Sequence, residues 1–219
     1  PPTTTLPRWR TRATGCGGPG ESNGKGAETE GAIGGEGMAL VVHNDPAGLE
    51  AIGCAKTGVG YARDSGQFGT CLDHISNSIA VQLSPHYNVT EVFRMGPQVA
   101  AGEPGYFIWG AMDEVGVYTG GVNNYAHVAR GFAAPGRKGK LIDGKKHTAT
   151  AVYAPGRLQV YLDGEIQPTI TANINLTAHN VADTQGKAWV GFTASTGISS
   201  IDTDLTAFSF CEFPGCDAA

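Results

Sequence analysis

Residues 157–163, Arg-Leu-Gln-Val-Tyr-Leu-Asp, alternate without a break: Leu158, Val160 and Leu162 fall on one side, and Gln159, Tyr161 and Asp163 on the other. A period of two belongs to a β-strand with one face buried. Ala154-Pro155-Gly156 joins it as a hairpin to the preceding run 147–154, HTATAVYA, because proline presets one turn position and glycine accepts the next. Further strands are predicted at 38–43, 78–83, 91–95, 114–119, 188–194 and 204–210. The run Met38–His43 is closed by Asn44-Asp45-Pro46. There proline ends a ladder and the Asn and Asp side chains favour a turn, a place where function can sit. Helix has almost no place to form, and no repeat occurs at propeller or solenoid spacing. The pattern predicts an all-β sandwich of two antiparallel sheets.

Outside those runs the chain changes character. Residues 1–16 read as an extended N-terminal arm and first strand, opening on the proline- and threonine-rich PPTTTLP, whose prolines lack the donors a central strand needs. Residues 17–33 read as a glycine-rich loop, 34–210 as the sandwich itself and 211–219 as a cysteine-containing tail. Glycine makes up 33 of 219 residues and charged residues only 16%, a balance foreign to coiled coils and helical bundles. The glycines keep no three-residue period, which excludes collagen, and 41% hydrophobic residues is too apolar for a disordered chain. A net charge of −5 without a run of Lys or Arg argues against a nucleic-acid partner. The longest purely apolar stretch, Met38–Val42, is far too short to span a bilayer. The sequence starts at Pro1 with neither methionine nor an apolar leader, so any export signal is expected to have been removed or to lie outside it.

Five cysteines, Cys16, Cys54, Cys71, Cys211 and Cys216, are widely spaced and never arranged with histidines at zinc-finger spacing. Two sequons, Asn88-Val89-Thr90 and Asn175-Leu176-Thr177, accompany them. Together they predict an extracellular or cell-surface protein with disulfides and glycans, one thiol being left over from intrachain pairing.

Several ordered segments carry a likeness. DGKKHTATAVYAPGRLQVYLDG (143–164), AWVGFTASTG (188–197) and DLTAFSF (204–210) resemble the L-type lectins, the legume-lectin group. So do GGEGMALVVHNDPAGLEAIG (34–53), TGVGYA (57–62) and NSIAVQL (77–83), with an unmatched insertion around 89–112. The resemblance implies a concanavalin-like jelly-roll sandwich that binds glycans or glycoproteins through loops at one end. Carried across residue by residue, its sugar-binding positions fall on Glu36, Gly58 and Asn88. A carboxylate accepts sugar hydroxyls, a glycine amide donates, and an asparagine amide does both.

This chain departs from the family in its metal positions. The family's Glu-x-Asp calcium pair aligns with Gln82 and Ser84, and its later histidine ligand with Glu114. An amide and a hydroxyl replace two carboxylates poorly around Ca²⁺. No cofactor is therefore expected, with Asp113 and Glu114 the candidates for any rebuilt site. Glu36 also stands where the family has aspartate, one methylene longer, and a glycan on Asn88 would block the position that should receive sugar.

The remaining polar and aromatic residues have ordinary uses. The six histidines, at 43, 74, 86, 127, 147 and 179, include no pair at i, i+2 or i, i+4. Trp109, Trp189, Phe192, Phe208 and Phe210 sit in apolar alternation, which predicts core for most of them. No strand carries paired carboxylates for glycoside cleavage, since Asp113 and Glu114 are adjacent and point to opposite faces. With no Gly-x-Ser-x-Gly, His-Glu-x-x-His or phosphate loop, no enzyme is expected.

Two functions follow: a carbohydrate-binding domain with an impaired calcium site, or a glycosylated structural subunit of an extracellular assembly that keeps the fold without binding sugar. Cys54 and Cys71 flank the TGVGYA loop and its return and are expected to bridge. Cys16 is expected to pair with Cys211 or Cys216, since the resemblance places the terminal strands side by side. Asn175 is expected to carry glycan. The resemblance implies a substantial set of strands ahead of GGEGMALVV, yet only 33 residues precede Gly34, so the sandwich is expected to be short of edge cover. Arg8–Cys16 would supply a strand within the chain, or a neighbouring chain would add one and build a filament.

Overall fold

A computed structural model describes residues 8–12, 37–55, 58–65, 70–85, 92–94, 106–108, 114–121, 128–133, 141, 145–196 and 202–210. Their strands run β1 (Arg8–Arg12), β2 (Gly37–His43), β3 (Asp64–Ser65), β4 (Thr70–Cys71), β5 (Ser78–Ser84), β6 (Val92–Arg94) and β7 (Tyr106–Ile108). They continue as β8 (Glu114–Thr119), β9 (Ala129–Phe132), β10 (Lys146–Ala154), β11 (Arg157–Leu162), β12 (Ile170–Ala172), β13 (Trp189–Ser195) and β14 (Asp202–Ala207). Among the described residues helix is confined to short 3-10 turns, which include Gly48–Glu50 and Leu176–His179.

Two five-stranded antiparallel sheets face each other, in the orders β12-β11-β10-β1-β14 and β13-β2-β5-β8-β9. The hairpin of Pro155-Gly156 forms as the pattern predicts, with Ala154 opposite Arg157 and Gly156 at φ +84°. Leu158, Val160 and Leu162 enter the core, where they meet Leu40, Val81 and Val117 of the facing sheet. The unmatched insertion contributes a short ribbon, β6 with β7, of which the second strand is not apparent in the sequence pattern.

The arm segment is placed centrally. β1 pairs with β10 on one side and β14 on the other, so this chain fills the gap itself instead of leaving it to a neighbour. The last predicted strand ends early, at Ala207. Trp189, Phe208 and Phe210 are exposed at 44% each and do not join the core. They lie on or beyond edge strands, where apolar alternation continues but cover is only partial. Phe192 is half-buried and meets Phe208 edge-on at 5.4 Å, and Trp109 lies outside the described residues.

Candidate functional site

Antiparallel register gathers the family-like positions at one end of the second sheet. β2 begins there at Gly37, β5 ends there at Ser84 and β8 begins there at Glu114, with Ser84 opposite Glu114 and Met38 opposite Leu83. Gly37 has φ +99°, and a Cβ there would lie 2.0 Å from the Leu83 carbonyl oxygen, so only glycine lets the two strands close at this end. Glu36, Asn88 and Asp113 lie outside the described residues, as do Cys16, Cys211 and Cys216.

Alternate residues of these strands point away from the sandwich core. Ala39, Gln82 and Gly116 form one row across the sheet and Val41, Ala80 and Tyr118 the next. Residues 51–55, 58–65 and 70–77 form a loop that roofs this outer face, Tyr61, Ala62 and Ile75 packing onto Ala39, Val41, Ala80 and Tyr118. Backbone bonds shape the loop: Gly53 to the Gly60 carbonyl (2.8 Å), Cys54 to Ala62 (3.0 Å) and Ile75 to Tyr61 (2.9 Å). The Cys54–Cys71 disulfide closes it, with Cα atoms 5.9 Å apart, as the loop reading predicts. The buried Tyr61 hydroxyl accepts from the Gly121 amide at 2.9 Å and lies 3.3 Å from the Ser78 hydroxyl. Burial pushes its pKa up.

Gly58 sits buried in this loop, its amide donating to the Ala55 carbonyl at 3.2 Å. The donor that the resemblance assigns to a sugar hydroxyl is thus engaged within its own turn. The next residue, Val59, is buried with φ +54°, a left-handed backbone that a β-branched residue adopts only where its surroundings enforce it.

The metal positions gain partners that sequence alone does not show. Gln82 is buried on the outer face. The Tyr118 ring folds back over Gly116, where a Cβ would lie 2.5 Å from Cε2. From there its hydroxyl donates to Glu114 Oε1 at 3.4 Å. Arg130, opposite Gly116 on β9, brings its guanidinium 3.8 Å from Glu114 Oε2. The one described carboxylate of this set therefore faces a cation, and its neighbours are an amide and a hydroxyl. These described side chains do not by themselves make a Ca²⁺ site, which draws on several charged oxygens. Among the described residues no cluster of three His, Cys, Asp or Glu side chains could hold a metal. Nothing in the sequence marks Arg130; only the β8–β9 register finds it.

The Asn44-Asp45-Pro46 turn proves to be a brace. Asp45 Oδ1 accepts from the Ala47 amide (2.8 Å), and Oδ2 accepts from the Ser76 amide (2.7 Å) and hydroxyl (2.6 Å). The turn is thereby tied to the end of the roofing loop. Burial pushes the Asp45 pKa up, but the hydrogen bonds of Ser76 and Ala47 and the nearby His43 outweigh it and hold it below its ordinary value. His43 is buried and accepts the Asp45 amide on Nδ1 at 3.2 Å. Burial lowers its pKa, opposed by the charge of Asp45. His147 is structural as well, lying buried with Nδ1 3.1 Å from Asp163 at the base of the β10–β11 hairpin. Asn175 is exposed just before the Leu176–His179 turn, its side-chain oxygen accepting the Thr177 amide at 3.0 Å.

The chain matches no protein-family model and no curated protein. Solved structures do match. Peanut lectin with a nine-residue peptide superposes with a TM-score of 0.50 at 15% identity, covering 96% of this chain and 71% of that one. The exoplasmic/lumenal domain of VIP36, solved in a Ca²⁺/mannose-bound form, gives 0.52 at 14% identity, over 100% and 70% of the two chains. At such identity the likeness is one of fold: a jelly-roll sandwich of the L-type lectin kind.

Proposed function

We propose that this sandwich is an extracellular carbohydrate-binding domain that works without calcium, taking glycans through the loops at the Gly37, Ser84 and Glu114 end. The observation that carries the reading is that convergence: three strand ends adjoining Glu36, Asn88 and Asp113 in sequence meet at one sheet end. The roofing loop with Gly58 lies on the same sheet. The Glu114–Arg130 pair supports the metal-free form, because a guanidinium supplies there the positive charge that a calcium ion would bring. The disulfide and the exposed Asn175 sequon favour an oxidising, glycosylating compartment.

A glycan array read with and without EDTA tests this. Binding is expected to survive chelation and to fall at least tenfold in Glu36→Ala and Asn88→Ala. Binding abolished by EDTA would sink the metal-free form, and no binding to any glycan would sink the carbohydrate reading. The second reading, a glycosylated structural subunit, draws on the two sequons, one of them at the sugar position. Glycopeptide mass spectrometry decides between them, since full occupancy of Asn88 leaves no room for a ligand there.

A further inference from the structure

A cavity of about 720 Å³ lies between the two sheets, towards the end of β2 remote from the candidate sugar site. Its walls come from both layers, including Val42 and Ile79 on one side and Ala151 and Leu158 on the other. Its rim carries the exposed Trp189 and Lys187. The volume lies within the range of small-molecule sites.

Water fills such a space poorly, because it needs two to four polar partners and the walls are aliphatic. The polar groups nearby serve their own backbone. The Tyr153 hydroxyl accepts the Leu176 and Gly156 amides at 3.2 and 3.3 Å. Asp183 Oδ1 accepts those of Gln185 and Lys187, both at 2.8 Å. A peptide backbone is a poor occupant too, since the gap between packed sheets is one layer of side chains deep and would leave its amides unpaired.

We propose that this cavity binds a slender, largely apolar small molecule, an aliphatic chain or fused aromatic, that enters past Trp189 and leaves its polar end at the rim beside Lys187. The site is separate from the candidate sugar site and does not depend on it.

N-phenyl-1-naphthylamine, an uncharged probe that brightens in apolar surroundings, tests the proposal on the whole chain. The expected result is saturable binding of one molecule per chain. Ala188→Trp, an exposed rim substitution, and Ala151→Phe, which fills the wall, should each weaken it at least tenfold. Should Ala151→Phe not fold, Ala188→Trp decides, since its side chain lies outside the core. No saturable signal, several molecules per chain, or undiminished affinity in Ala188→Trp would each overturn the proposal.

Discussion

The two faces of the β13-β2-β5-β8-β9 sheet are both buried, but by different means. On the inner face Leu40, Val81, Val115 and Val117 interdigitate with Val160 and Leu162 of the opposing sheet, apolar against apolar. On the outer face the strands offer Ala39, Val41, Ala80 and Tyr118 to a loop held by a disulfide, backbone hydrogen bonds and the Asp45 brace. The inner face rests on burial, which accepts any well-shaped aliphatic residue. The outer face rests on a few directional and covalent ties, each of which either holds or fails. Coverage on both sides also explains why β2 and β5 read as nearly unbroken apolar runs, while β10 and β11 alternate.

The largest expected effect tests the inner face. Leu162→Ala, at a fully buried site, should cost about 2–5 kcal/mol in urea unfolding; a loss near zero would mean that this face is not close-packed. Removing the disulfide with paired Cys54→Ala and Cys71→Ala should cost about 2–4 kcal/mol. In hydrogen exchange the amides of the 51–77 loop should lose protection first while those of β10 and β11 keep theirs. Uniform loss across both would erase the contrast between the faces. Ser76→Ala removes one hydroxyl donor from Asp45 and should cost about 1 kcal/mol.

The smallest effect is a pH dependence confined to the brace. His43 has a folded pKa below its ordinary 6.5, so the unfolded chain binds the proton more readily. Stability is therefore lost as pH falls through 6.5 towards the folded value. Asp45 is likewise below its ordinary 3.8, so its contribution is present above that pH and is lost as pH falls below it. Thermal melts between pH 7 and 5 should show a decline that His43→Gln reduces. A decline of equal size in that variant would place the titration elsewhere.

What the sequence made legible follows the same division. The alternation of Leu158, Val160 and Leu162 announced the inner face, because period-two patterning is local. The Cys54–Cys71 bridge was legible from the loop it spans. Asp45 could be read as a turn residue, but its partner Ser76 could not, since hydrogen bonds across 31 positions leave no local signal. Tyr61 reaching Gly121 and Arg130 reaching Glu114 were hidden for the same reason: the first needs the loop folded onto the sheet, the second the β8–β9 register. Trp189, Phe208 and Phe210 misled because alternation tells which side a residue faces, not whether anything stands opposite. Of the positions that the resemblance assigns to sugar, Gly58 lies among the described residues, and the sequence did not indicate that its amide is already engaged.

The central position of β1 bears on how the chain is made. Arg8–Arg12 leaves the ribosome among the first residues of this sequence, yet its two partners, β10 and β14, emerge only after most of the rest has been synthesised. Until then the segment must wait unpaired, and the sheet that contains it cannot close from its middle. Such distant pairing slows folding and lengthens exposure to aggregation. The second sheet draws four of its five strands, β2, β5, β8 and β9, from the stretch ahead of β10, so most of that layer can assemble during translation, with the edge strand β13 added later, and offer a surface on which the other is completed.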